Sequence, residues 1–108
     1  MKLNIYENKK IIKTYEANTY DLMWGTLTDI IKTLKLDEMK TGSNEELLKM
    51  VLNLVTTSID TIEYLMKDIF DGLTDDELKK TKSTEIANVL VDVVLYTFNK
   101  MMSGGSKN

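Results

Sequence analysis

From Ile86 to Phe98 the chain is apolar at almost every position, and at 3.6 residues per turn Val89, Leu90, Val91, Val93, Val94, Leu95, Tyr96 and Phe98 wrap nearly the whole circumference of a helix. A helix of that kind must be covered on most of its sides. Asn88 and Asp92 interrupt the run, which falls well short of the roughly 20 apolar residues of a membrane span, so the expectation is a soluble chain with no membrane partner. A chain of 108 residues has room for one modest core and not for two. The other elements are therefore expected to pack around this helix as a single domain over 1–102. Two readings of the helix stay open. It is the central core helix, or one stripe containing Val91, Leu95 and Phe98, extended by the adaptable side chains of Met101 and Met102, is an interface with a partner or another copy.

Ahead of that helix the hydrophobic period changes once. Residues 2 to 17 alternate as strands do: Leu3 and Ile5 share a face, then Ile11, Lys13, Tyr15 and Ala17, with a turn at Glu7-Asn8-Lys9-Lys10. This predicts a β-hairpin. From Asn18, a helix cap, the spacing of Met23, Leu27, Ile30, Ile31 and Leu34 predicts a helix over about 19 to 36, with Gly25 inside it marking a close approach of something to the backbone. A loop is expected around Thr41-Gly42. Ser43 and Glu46 form a capping box for a long second helix that keeps one apolar face to Ile69, with a bend or break at Thr56-Thr57-Ser58 and a stop at Gly72. Thr74 with Glu77 opens a two-turn helix ending near Thr81, and Ser83 or Thr84 caps the last one, to about Met102. The predicted fold class is α+β, mainly α: an N-terminal β-hairpin followed by about four helices. Residues 103–108, Ser-Gly-Gly-Ser-Lys-Asn, have the composition of a flexible C-terminal tail.

With no cysteine and no histidine, the chain lacks thiolate and imidazole metal ligands and every catalytic triad built on them. The acids at Asp71, Asp75, Asp76 and Glu77 do not have the spacing of a calcium loop and suit the first turn of a helix. Glu45 and Glu46 lack the apolar surround that acid–base work requires. The expectation is a protein that is not an enzyme and takes no cofactor or metal. The first residues, Met1 to Ile5, have no apolar signal run, which points to the cytoplasm. A net charge of −3 disfavours nucleic acid as a partner. The two C-terminal helices could imitate a helix-turn-helix, giving a small DNA-binding regulatory protein as the alternative reading. The positions that would face a groove are Glu85, Ile86, Asn88, Val89 and Asp92, which are acidic, polar or apolar, with Lys79, Lys80 and Lys82 nearby. Tyr20, Met23 and Trp24 form an aromatic cluster that either packs the hairpin onto the first helix or is a surface hot spot for another protein.

The hairpin leading into Tyr20-Asp21-Leu22-Met23-Trp24-Gly25, the segment Lys67-Asp68-Ile69-Phe70-Asp71-Gly72-Leu73-Thr74-Asp75-Asp76-Glu77-Leu78, and Thr81-Lys82 with Glu85-Ile86 resemble the tail assembly chaperones of long-tailed phages and prophages of Gram-positive bacteria. The likeness extends almost to Met102. It departs at Asp71, where the family carries a proline between phenylalanine and glycine. The resemblance implies a non-enzymatic assembly factor of the host cytoplasm, absent from the mature virion, that coats the tape-measure protein and recruits tail-tube protein through adaptable apolar surface. It further implies, through a programmed ribosomal frameshift near Lys107-Asn108, a longer form carrying a second domain. A homo-oligomer is expected separately, because so short a chain has few elements to cover its nearly all-apolar last helix.

Overall fold

The computed structural model describes residues 1–35, 43–57 and 59–104, and of 44, 54–57 and 101–104 the backbone alone. The expected loop at Thr41-Gly42, Ser58 in the expected bend, the side chains of Met101 and Met102, and the tail beyond Gly104 lie outside the described residues.

Strands β1 (Lys2–Glu7) and β2 (Lys10–Glu16) form the antiparallel hairpin that the alternation predicts. Glu7 pairs with Lys10 across two turn residues, Asn8 at φ 53° and Lys9 at φ 66°. Positive φ at both central positions is the demand of a type I′ turn, whose twist matches that of the strands. Leu3 and Ile5 are fully buried, and Tyr15 opposite Leu3 packs against the same core. The face expected for β2 holds only in part. Ile5 pairs with Lys13 and Tyr6 with Ile11, so Ile12 is an extra residue. This bulge moves Ile11 onto the face of Tyr6 and away from that of Lys13 and Tyr15.

Asn18 caps a single 3-10 turn, Thr19–Asp21, by accepting the Tyr20 N–H at 2.9 Å. The first α-helix, α1, runs from Trp24 to Leu34 and so begins five residues later than the periodicity predicts. Leu22 and Met23 between them are extended. Gly25 and Thr26 are weak helix formers and do not propagate a turn backward across Met23. Gly25 therefore sits in the first turn, and the expected close approach is absent: a Cβ there would meet nothing within 4 Å.

The predicted long second helix is two helices, α2 (Asn44–Thr57) and α3 (Ile59–Ile69). The Glu46 N–H donates to Ser43 Oγ at 3.2 Å, as its capping role requires. After α3 the Leu73 N–H returns to Phe70 O at 3.1 Å, with Gly72 at φ 89° in the third position of the turn. That conformation belongs to glycine, and proline is favoured just before it in such turns. Asp71 stands in that place, and the turn closes without a proline.

Thr74 and Glu77 make the complete capping box of α4 (Asp75–Leu78), at 3.1 Å in each direction. This helix is shorter than the two turns expected, and the chain continues in tight turns to Thr81, where Lys80 O is taken by the Tyr6 N–H at 2.8 Å. Helix α5 spans Ser83–Gly104. Lys82 O accepts from the N–H groups of Glu85 and Ile86, which places Ser83 inside the first turn rather than ahead of it. The helix also takes up Ser103 and Gly104, the first two residues of the expected tail.

The chain is α+β and mainly α, with five α-helices after the hairpin among the described residues, four of them of seven residues or more. Helix α5 lies at the centre. Val89, Leu90, Val93, Val94 and Phe98 are buried, with α1, α2 and β1 packed on it. Leu47 and Val51 of α2, Leu65 and Met66 of α3, and Phe70 complete the core. Among the described residues the two buried polar side chains are partnered: Thr26 donates to Asp68 of α3, and Thr97 to Val93 O at 2.7 Å. Among the described residues, no helix is long and apolar enough to cross a membrane.

Candidate protein-binding face

The segment that joins the hairpin to α1 determines which aromatic side chains reach water. The 3-10 turn and the two extended residues after it turn Leu22 towards the core and leave its neighbours outside. Tyr20 is 80% exposed, Met23 70% and Trp24 74%. The cluster therefore lies at the surface and does not pack the hairpin onto α1. The Tyr20 ring meets that of Tyr96 on α5 edge to face at 5.8 Å, and Lys100 Nζ stands 5.7 Å over Tyr96. Beside them an open groove is lined by Met1, Glu16, Ala17, Asn18, Thr19, Asp92 and Tyr96. The result is a ridge of large apolar side chains at the rim of a polar groove. A buried aromatic removes about 150–250 Å² from water, so such a ridge offers unspent hydrophobic free energy to a partner.

The other candidates on α5 are placed differently. Phe98 is buried, and Val91 and Leu95 are half-buried against the core. These three cover the protein's own interior. Sequence reasoning missed other exposed apolar residues: Ile11 and Ile12 on β2, Leu48 and Leu52 on α2, Ile59 and Tyr64 on α3. Ile11-Ile12 carried a readable signal, since adjacent residues of a strand point to opposite faces. Ile59 has a further role: with Ile62, Leu78 and Ile86 it walls a small apolar cleft between α3 and the α4–α5 turn, with Glu63 and Lys79 at its mouth.

The perturbed carboxylates bind the hairpin to the helical body. Glu77 accepts from Tyr15 Oη at 2.5 Å and from Lys13 Nζ at 3.0 Å, which with its capping bond holds its carboxyl down at about 2. Burial works to raise the Glu85 carboxyl, but bonds from the Tyr6 hydroxyl and the Asn4 N–H outweigh it and hold the group below its ordinary value. Both shifts arise from contacts that join β1 or β2 to α4 or α5. Among the described residues, no group of three or more acids is placed to hold a metal ion.

No family model, curated protein or solved structure matches this chain. The reading of its surface thus rests on its own geometry and on the sequence resemblance. That geometry also bears on the helix pair α4–α5. Glu85 is engaged by Asn4 and Tyr6, Ile86 is half-buried, and Val89 is buried. Of the five positions that a recognition helix would hold towards DNA, these three face the hairpin and the core, while Asn88 and Asp92 are exposed.

Proposed function

We propose that this protein is a non-enzymatic tail assembly chaperone of a long-tailed phage or prophage, which binds tape-measure and tail-tube proteins in the host cytoplasm while the tail is built. The observation that carries the reading is the exposure of Tyr20, Met23 and Trp24 together. They lie in the first segment through which the sequence resembles that family, and they remain largely exposed once the chain has folded. Trp and Tyr are the residues most enriched among interface hot spots, and methionine adapts to more than one partner surface. A chaperone that meets both a fibrous and a tubular protein uses such adaptability. Self-association belongs to the same proposal, since the ridge can bury itself against another copy until a tail protein displaces it.

Co-expression with the products of the genes immediately upstream and downstream, followed by affinity capture, tests the proposal. Capture of a tail-tube or tape-measure protein by the wild type, and its loss in Trp24→Ala with the melting curve unchanged, is the expected outcome. Adjacent genes that encode no tail proteins, or capture that Trp24→Ala leaves intact, would overturn it.

A further inference from the structure

The turn between α4 and α5 carries Lys79, Lys80 and Lys82, and the turn of the hairpin carries Lys9, some seventy residues away in sequence. The Tyr6 N–H bond to Lys80 O brings the two turns together. Between them lies an open groove lined by Tyr6, Asn8, Lys9, Thr81 and the three lysines of the α4–α5 turn. No carboxylate stands in that wall. Glu7 pairs with Lys80 at 3.3 Å, Asp75, held by Lys67, lies within electrostatic reach of Lys79, and Glu85, which accepts from the Tyr6 hydroxyl, lies within reach of Lys82. Lys82 Nζ stands 4.6 Å over the Tyr6 ring, which fixes one ammonium at the floor. A chain of net charge −3 thus gathers four of its 14 lysines around one concavity.

The position of Lys9 adds a second, independent observation. Its φ of 66° is one that glycine adopts freely and a side chain resists, and Asn-Gly is the preferred pair for this turn. A cationic side chain is held where the turn itself favours none.

We infer that this groove binds a short acidic peptide segment of a partner protein, its carboxylates seated on Lys9, Lys79 and Lys82. An extended polyanion fits less well. Beyond these four lysines the chain carries ten lysines against 17 acidic side chains, so a nucleic acid running past the groove meets repulsion, whereas a few carboxylates on a peptide end within it. The inference does not depend on the aromatic ridge, which lies on a different part of the surface.

Fluorescence anisotropy with a labelled ten-residue peptide of alternating Glu and Ser, an uncharged Gln/Ser peptide and a single-stranded oligonucleotide of equal length tests it. The acidic peptide binds and the uncharged one does not, and raising the salt from 20 to 200 mM weakens binding, as expected when the Debye length shortens to below about 10 Å. Lys79→Gln and Lys9→Gly each weaken binding by about two- to fivefold, the span of exposed charge pairs. Lys32→Gln and Lys49→Gln, on α1 and α2, change nothing. Lys9→Gly is the decisive variant, because it relaxes the turn and so cannot lose affinity by unfolding. Equal affinity in Lys79→Gln and Lys9→Gly, absence of acidic-peptide binding, or tighter binding of the oligonucleotide would each overturn the inference.

Discussion

Lys9 and Trp24 show how a single residue can be chosen against the stability of its own position. At φ 66° Lys9 bears the steric cost of a Cβ in the left-handed region. Lys9→Gly should stabilise the protein by about 0.5–1 kcal/mol, offset in part by the freedom glycine adds to the unfolded chain. Thermal unfolding at fixed ionic strength reads this as a melting temperature raised by a few degrees; an unchanged or lower one shows that the turn does not strain the lysine. Trp24, 74% exposed, should behave as no core tryptophan does. Its fluorescence should be that of an indole in water, and Trp24→Ala should change stability by about 0.5 kcal/mol or less, against the 3–5 kcal/mol of a buried tryptophan. Blue-shifted emission in a dilute sample, or a large loss of stability, would place Trp24 in the interior.

Among the elements, the local signals worked where the chain answers to its immediate neighbours. The capping box at Thr74 and Glu77 was legible because both hydrogen bonds span three residues. Thr74→Ala should accordingly cost about 1 kcal/mol in urea denaturation. Two of the helix boundaries that differ from the periodicity have non-local causes. Helix α5 begins at Ser83 rather than after it where Glu85 is drawn to Asn4 and Tyr6 of the hairpin, and α4 stops early where Lys80 O is taken by Tyr6. The nearly all-apolar stretch of α5 is readable as a helix needing cover, and the chain itself covers Val89, Leu90, Val93, Val94 and Phe98. Leu90→Ala, which empties a fully enclosed site in α5, should cost about 2–5 kcal/mol, whereas Tyr64→Phe, which loses only an exposed bond to Asp29 at 3.0 Å, should cost little. Comparable losses from the two would remove α5 from the centre of the fold.

For the molecule as a whole, the joint between hairpin and helical body is acid-sensitive. Glu77 has a folded value of about 2 against an ordinary 4.5, so the unfolded chain binds the proton more readily, and the stabilisation is fully present above about 4.5 and lost as the pH falls towards 2. Glu85 is shifted in the same direction. Glu77→Gln should therefore be less stable than the wild type at pH 7, and the gap should narrow through this window in urea melts at pH 7, 4 and 3. A gap that stays constant would mean that the carboxylate does not hold the joint. The sequence by itself determined the order and kind of the elements, the caps and the need to enclose α5, because these follow from periodicity and from bonds within a few residues. Only the tertiary structure decided that Tyr20, Met23 and Trp24 face water, that Ile12 bulges from its strand, and that Lys9 meets Lys79 and Lys82 across a groove. The first follows from the 3-10 turn and the second from the hairpin's pairing; the groove depends on how the hairpin seats against the α4–α5 turn, through Tyr6, Tyr15, Glu77 and Glu85, and contacts between residues sixty to eighty positions apart leave no period in the chain to read.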